Sequence, residues 1–388
     1  MITVSPHRAA PLQAQVYGAG PTGALAALAL ARAGWRVQLL DPLTAAQLTA
    51  RSRAYALTHS SRQLLQSLEL WEPLQPALAP FRRLELCDRA LHRQVRFSSA
   101  DLGREPAAAV GWILQHQPLM ALLLEGLQAE PAITLQLGAA PPLLPVAPVD
   151  LRVAADGHNS ATAAAAGLRR LGFRYRQGCL TVQVRLRGSD PDQAWELFRP
   201  EGPFAVLPLG GDAYQLVWSA PLDRLRRLEQ LDGAAFLDAL SAALPEALQA
   251  EVLLDQPRAW PVGLSLLWPL ARGRLLALGE AAHRCHPVGG QGLNLCWRDV
   301  ACLQQLAARC SNGRLQPAQL PRAYAWRRLP DLLLVLLATD GLVRLFSNRL
   351  APLLPLRRLA LLLLGRWAWL RTAVLAVMTH GPCRWPLS

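Results

Sequence analysis

The sequence predicts an α/β fold organised around a dinucleotide-binding βαβ unit. Three observations carry this prediction. Gly18-Ala-Gly-Pro-Thr-Gly23 is a G-x-G-x-x-G set between a short apolar run and an Ala/Leu-rich run. An acid, Asp41, closes the next apolar run at the spacing such units use. Far down the chain, Gly289, Gly290 and Gly292 mark a second glycine-rich helix start.

In the first unit, Leu12 to Tyr17 reads as a short buried strand, Pro21 to about Ala33 as a helix, and Trp35 to Asp41 as the second strand. Pro21 suits the first helical turn, where its missing N–H costs nothing. Gly34 is a natural C-terminal stop. Gly18 permits a tight turn, and Gly20 lets the backbone approach a pyrophosphate seated on the free N–H groups of the helix. Gly23 allows close helix–strand packing, and Asp41 can accept hydrogen bonds from ribose hydroxyls. A ligand-free glycine turn would show the same glycines, but here strand, helix, second strand and acid are in register.

The second signature runs from Gly273 to Asn294. Leu275 to Leu278 reads as a strand ending at Gly279-Glu280. A loop with Pro287 follows, and the glycines then open a helix carrying Leu293 to Leu306. A helix N-terminus holds partial negative charge well. A reduced flavin develops such charge at its N1–C2 carbonyl edge.

Composition narrows the class. The chain has 388 residues, 52% hydrophobic and only 17% charged, with a formal net charge of +13. It can bury a large core and is not a disordered chain. Length alone suggests two to three domains. There is no Lys, so the positive charge is all Arg. GC-rich coding accounts for that bias, as does attraction to an anionic partner such as a phosphorylated cofactor or an acidic membrane. No basic run interleaved with aromatics forms a nucleic-acid module, so no nucleic-acid partner is expected. The seven Cys include no C-x-x-C pair and no zinc spacing, which fits reduced thiols in a cytoplasm and no metal site. His283 and His286 flank Cys285, but no third ligand has matching spacing. Neither a signal peptide nor a convincing transmembrane helix is read.

The second signature closely resembles the second FAD motif of the flavin-dependent aromatic hydroxylases, the para-hydroxybenzoate hydroxylase class. Within that class the chain resembles the polyprenyl-phenol hydroxylases of ubiquinone biosynthesis, over nearly its whole length. Arg51 to Leu57 resembles the family's Arg-containing stretch near the flavin, mapped to Arg53. Gly111 to Leu119 resembles the segment whose polar residue touches the cofactor, mapped to Gln117. Ala155 to Ser160 resembles the Asp-Gly motif, here Asp156 and Gly157. Ala194 to Pro208 and Leu216 to Ser219 resemble the substrate-domain sheet. Thr339 to Pro352 resembles a C-terminal stretch of the quinone-pathway members.

The resemblance implies a glutathione-reductase-type, Rossmann-like FAD-binding domain with an inserted antiparallel-sheet substrate domain and a C-terminal helical region. The expected boundaries are 1–72, 100–175 and 262–330 for the FAD domain, 73–99 and 176–261 for the substrate domain, and 331–388 for the helical region. The implied cofactor contacts are Gly18, Gly20, Pro21, Gly23, Asp41, Arg53, Gln117, Asp156, Gly157, Gly279, Glu280, Gly290, Gln291, Gly292, Leu293 and Asn294. His283, Pro287 and Gly289 are expected to line the flavin face. The implied reaction uses NADH or NADPH to reduce FAD, and O2 to hydroxylate a phenol ring, with a prenylated phenol or quinone precursor as substrate.

Three features depart from the family pattern. Glu280 stands where Asp is usual, no Arg follows Ser160, and the usual β-meander between Leu137 and Leu151 is shortened to a Pro-rich run, Ala139 to Val149. The shortened meander and Glu280 motivate the alternative of a non-catalytic flavoprotein scaffold in a membrane quinone-biosynthesis complex; an isoprenoid-chain reductase on the same scaffold is a second alternative, which oxygen-independent turnover would favour. From Asp331 to Met378 the chain is Leu-rich and dotted with Arg, with Trp367 and Trp369 among them. That pattern fits helices closing the FAD domain, helices lying on a membrane, or both. The expected location is cytoplasmic, peripheral on the inner face of a membrane.

Overall fold

The computed structural model describes residues 10–103, 109–140, 148–348 and 350–382. A six-stranded sheet forms the base, in the order Ala271–Arg272, Leu275–Ala277, Leu151–Ala154, Gln13–Tyr17, Arg36–Asp41, Ile133–Leu137. All neighbours are parallel except the first pair, which is a hairpin. Parallel strands are covered on both faces, and the run from Ala14 to Tyr17 is fully buried. Helix Pro21–Arg32 packs on this sheet with every residue from Gly23 to Ala31 buried. Small Ala side chains let it lie close to helices His116–Ala129 and Gln291–Ser311. Trp35 closes the packing: fully buried, its indole N–H donates to Ala307 O at 3.2 Å.

Above this base lies a larger sheet. Its order is His283–Arg284, Arg258–Trp268, Arg169–Arg187, Ala213–Pro221, Phe204–Gly210, Gln193–Phe198, Arg83–Asp88, Arg93–Ser98, with Gln249–Leu253 also pairing to Arg169–Arg187. It is antiparallel apart from one junction, where Gln193–Phe198 runs parallel to Arg83–Asp88. Strands Arg169–Arg187 and Arg258–Trp268 each run across an expected domain border. A small antiparallel sheet of Ala54–Leu57, Gly111–Gln115 and Leu78–Phe81 joins the two layers. Thus Leu78–Phe81, read from sequence as part of the substrate sheet, pairs elsewhere. Where the meander is shortened, the described residues 138–140 and 148–150 form no strand, and 141–147 lie outside the described residues.

Helix Leu320–Phe346 then crosses the molecule with Pro330 in its interior, followed by Leu354–Arg366 and Ala368–His380. Among the described residues no single helix is long and apolar enough to cross a membrane. The last two helices, bent by 102° to one another, pass that test only as a pair. Leu356, Leu359 and Trp369 on this pair are each more than half exposed. Arg349, within the quinone-pathway stretch, lies outside the described residues.

Candidate active site

The first glycine turn is built by contacts that admit no side chain. Gly18 has φ +100°, and a Cβ there would lie 2.4 Å from Ala155 O. A Cβ on Gly23 would lie 1.8 Å from Gly18 O. Gly20 differs: its backbone is extended, at φ −65° and ψ 179°, and a Cβ would meet nothing within 4 Å. It leads directly into Pro21, at the start of a helix whose first N–H groups take no side-chain cap. An open glycine in front of uncapped helical N–H groups is a seat for a pyrophosphate.

Asp41, assigned from sequence to the ribose, is buried, and its carboxylate accepts from Ala19 N at 2.6 Å and Leu43 N at 2.8 Å. The carboxylate therefore locks the glycine turn onto the second strand. Each oxygen retains a second lone pair for a ligand hydroxyl.

Three chain segments meet at this turn. Asp156 Cα lies 2.8 Å from the position of a Gly18 Cβ, which brings the Asp-Gly motif against the first signature. The Asp156 carboxylate takes a short hydrogen bond from Ser160 Oγ and another from Thr162 N at 3.1 Å, so it organises the turn into helix Ala161–Ala165. Gly157, at φ +83°, faces open space. Gly279, at φ +58°, packs against Thr22 and Cys296, joining the second signature to the first helix. Glu280 is exposed beside it.

Arg53 and Gln117 are both exposed, and His116 N donates to Arg53 O at 2.7 Å, which ties their segments together. The Arg53 guanidinium lies over the Tyr55 ring, at 5.4 Å.

In the second signature, Gly289 and Gly290 have φ +67° and +63°. Other residues adopt this left-handed region only at a cost. Pro287 O accepts from Gly290 N at 3.1 Å, closing the turn. Helix Gln291–Ser311 then starts without a side-chain cap, and Gly292 opens onto free space. Leu293 is half-buried against the main core.

Asn294, expected among the cofactor contacts, is instead fully committed to the protein. Its Nδ2 donates to Ala56 O and Gly290 O, and its Oδ1 accepts from Thr58 N, Thr58 Oγ1 and Ser61 Oγ. Gln291 also turns inward, donating to Gly289 O and to Met378 O of the last helix. Both side chains brace the loop rather than face a ligand.

His283 requires a correction. It was expected to line the flavin face, but it is 2% exposed and its Nε2 lies 2.7 Å from Asp299 Oδ2. Its strand pairs with Ser265 and Leu266, which points the ring into the base of the motif. Asp299 Oδ2 also accepts from Gly279 N at 2.9 Å, and Oδ1 from Arg328 Nε at 2.6 Å. Arg328 reaches Asp331 at 2.5 Å, which also binds Arg298 at 2.9 Å. This buried ionic network lies directly beneath Gly279. Burial alone would raise the Asp299 pKa, but its partners His283 and Arg328 and the Gly279 N–H outweigh it and bring the value down to about 2.

His286 is fully buried as well. Its Nδ1 accepts from Val288 N, so Nε2 carries the proton and donates to Gln177 Oε1 at 3.3 Å. Burial lowers its pKa to about 4, so it is neutral at physiological pH.

Around Gly289 the structure gathers an apolar cluster from three sources. It includes Ala54 and Ile113 of the small sheet, Ala194 and Phe198 of strand Gln193–Phe198, and Val288, Phe346 and Leu375. Phe346, from the quinone-pathway stretch, stacks on Phe198 with centroids 4.2 Å apart. Asp340 of the same stretch accepts from Tyr175 OH at 2.7 Å. A cavity of about 450 Å³, lined in part by Ala79, Ile113, Gln115 and Leu209, borders this cluster.

Sequence reasoning missed one residue inside the cluster, Glu196. It is 7% exposed and its Oε2 accepts from Gly289 N at 3.4 Å. The available signal was the strand alternation: Trp195 and Leu197 belong to the core under the outer helices, whereas Ala194 and Phe198 face the site, and Glu196 shares their side.

This fold, with two uncapped glycine-rich helix starts whose signatures are joined where Gly279 packs on Thr22, defines a dinucleotide-dependent oxidoreductase, and its donor set fits FAD. Gly18, Gly20, Pro21 and Gly23 would hold the pyrophosphate, and Gly290 to Leu293 the flavin end. Comparison with known proteins supports this. Residues 149–331 match the FAD binding domain family model. Ubiquinone hydroxylase UbiL of Rhodospirillum rubrum is 31% identical over 370 residues, covering 89% of this chain and 84% of the relative. The 3-demethoxyubiquinol 3-hydroxylase of Escherichia coli is 29% identical, covering 91% and 94%. The fold matches p-nitrophenol 4-monooxygenase PnpA of Pseudomonas putida with a TM-score of 0.79 at 16% identity, covering 96% and 99% of the two chains. HpxO of Klebsiella pneumoniae, solved with FAD, matches at 0.73 and 18% identity, covering 96% and 99%. The chain belongs to the FAD-dependent monooxygenases, in the branch of the ubiquinone-biosynthesis hydroxylases.

Proposed function

We propose that this chain hydroxylates the aromatic ring of a polyprenylated phenol in quinone biosynthesis, with NADH or NADPH as reductant. The observation that carries this reading is the placement of the apolar cluster. Val288, in the second FAD motif, packs with Ala54, Ile113, Phe198 and Phe346 in one apolar cluster beside Gly289. Such apolar surroundings suit an oily ring substrate and keep water from the reacting atoms.

When bound, FAD supplies the redox chemistry, accepting a hydride and activating O2. The chain's own residues do the rest. The uncapped start of helix Gln291–Ser311 favours negative charge at the flavin end. Gly289 and Gly290 would present bare backbone to the flavin end. Asn294 and Gln291 hold that backbone in place.

The exposed Leu356, Leu359 and Trp369 of the final helices, with Arg358 and Arg366 between them and an overall charge of +13, favour a peripheral position on an anionic membrane. A position at the membrane surface would bring the enzyme to a polyprenylated substrate dissolved there.

One experiment tests both statements. The holoenzyme is incubated with NADPH and a short-chain prenylphenol, with and without anionic phospholipid vesicles, and the products are followed by mass spectrometry. We expect one added oxygen atom per product, and activity that sediments with the vesicles. Oxygen-independent turnover with a reduced prenyl chain instead would indicate a reductase. Activity that stays in the supernatant would remove the membrane assignment alone.

A further inference from the structure

Glu196 is a buried carboxylate in the site region that the reading so far does not use. On the site side of its strand its neighbours are Ala194 and Phe198, and its cross-strand partners are Ala205 and Leu86. It is the acid in an otherwise apolar stretch. The bond that holds it, from Gly289 N, is long at 3.4 Å and is therefore weak enough for a ligand hydroxyl to compete with.

We propose that Glu196 accepts the hydroxyl proton of the phenol bound against Gly289, making it the catalytic base of this site. The inference rests on the phenol-hydroxylase reading above. The O–H bond of the phenol breaks, and the proton forms a new O–H bond on a Glu196 oxygen. The phenol becomes phenolate and the carboxylate becomes the neutral acid. No electrons are transferred, and the proton leaves to solvent when the product departs.

Three physical arguments support this. First, ring hydroxylation needs an electron-rich ring, and a phenolate is far richer than a phenol. Second, the step exchanges one buried anion for another, so the apolar site carries a single negative charge throughout. Moving a proton out to water instead would leave two anions buried together at a cost. The remaining anion sits near the N-terminus of helix Gln291–Ser311, which favours it.

Third, the carboxylate is tuned for the task. Burial raises the Glu196 pKa to about 7, with the Gly289 N–H pulling slightly the other way. An ordinary carboxylate lies roughly six units below a phenol, near 10, and is a poor base toward it. Raising it to about 7 roughly halves that gap while leaving it mostly ionised in slightly alkaline solution.

The charged and titratable groups around Glu196 do not duplicate the role. Cys179, on strand Arg169–Arg187, is pushed up to about 12 by burial and senses both Arg53 and Glu196. The Arg53 guanidinium carries donors and no acceptor. Asp88, diagonal to Glu196 on strand Arg83–Asp88, caps the turn that follows it, with Oδ1 accepting from the Ala90 and Leu91 N–H groups and Oδ2 buried without a partner among the described residues.

The test uses FAD-loaded enzyme without reductant, so no turnover occurs. A short-chain prenylphenol is labelled with carbon-13 at its hydroxyl-bearing carbon, whose resonance moves on ionisation. It is bound at pH 8 in weak buffer, and protons released to solution are counted with an indicator dye. In the natural enzyme we expect bound phenolate with no proton released, because Glu196 keeps it. In Glu196→Gln, which preserves shape and can still accept from Gly289 N, we expect each phenolate formed to release one proton to solution, and Glu196→Asp should restore part of the retention. Phenol bound undissociated by the natural enzyme, or a proton count per phenolate unchanged in Glu196→Gln, would overturn the proposal while leaving the functional reading standing. A natural enzyme that holds FAD but binds no phenol would overturn both.

Discussion

Gly20→Val is expected to yield a folded protein without flavin. The extended backbone at Gly20 accommodates any residue, and a Cβ there meets no protein atom within 4 Å. Stability should therefore change little, within about 0.5 kcal/mol, as for surface substitutions elsewhere. The space the side chain enters is the space in which a pyrophosphate would approach the free N–H groups that follow Pro21 in the first helical turn. FAD affinity should fall by roughly 100-fold or more, about 2.7 kcal/mol. Gly23→Ala is the contrasting control. Its Cβ would stand 1.8 Å from Gly18 O, so the turn itself must break, and unfolding should shift together with flavin loss. Isothermal titration with FAD and thermal melts of both variants separate the two mechanisms. Equal FAD affinity in Gly20→Val and the natural protein would place the pyrophosphate elsewhere.

The second large effect is expected from Arg328→Met. Arg328 is 2% exposed and lies between Asp299 and Asp331, both almost fully buried. Removing the cation leaves two carboxylates in the interior, Asp299 with His283 and the Gly279 N–H and Asp331 with Arg298. Breaking a buried pair from one side typically costs about 3–5 kcal/mol. Because Asp299 also holds Gly279 N at 2.9 Å, the second glycine motif should loosen and FAD affinity should fall with stability.

The pH dependence has a definite sign. Asp299 is depressed from the ordinary 3.8 to about 2. Its contribution is therefore present above pH 4 or so and is lost as pH falls through about 2. In Arg328→Met one of the influences lowering that pKa is gone. The acid-unfolding midpoint, followed by circular dichroism, should move to higher pH. Unfolding at the same pH and the same denaturant midpoint as the natural protein would show that the network contributes nothing.

Much of the fold was legible because its signals are local. The strand, glycine turn, helix and acid of the first unit lie within some thirty residues, and each element forms within a residue or two of its predicted ends. The second glycine motif is equally compact. What escaped the sequence depends on pairing across long separations. The parallel junction of Gln193–Phe198 with Arg83–Asp88, and the pairing of Leu78–Phe81 with Gly111–Gln115, leave no mark in either segment alone. Asn294 and His283 were given to the flavin because they sit within its motif. Their real partners, Thr58, Ser61 and Ala56 in one case and Asp299 in the other, lie on other elements or on the far face of the helix. Glu196 was passed over because one acid in a strand reads as a surface residue until the sheet shows which side it faces.

The most direct measurement of the central claim is an anaerobic reduction of the FAD-loaded protein. NADPH is added first without phenol and then with a short-chain prenylphenol, while the visible flavin band is recorded. A protein that holds one flavin between its two glycine signatures, and hydroxylates a phenol beside Gly289, should show slow bleaching without the phenol and bleaching at least tenfold faster with it. Failure to acquire a flavin band in folded, FAD-supplied protein, or a band that neither NADPH nor NADH bleaches with the phenol present, would contradict the account.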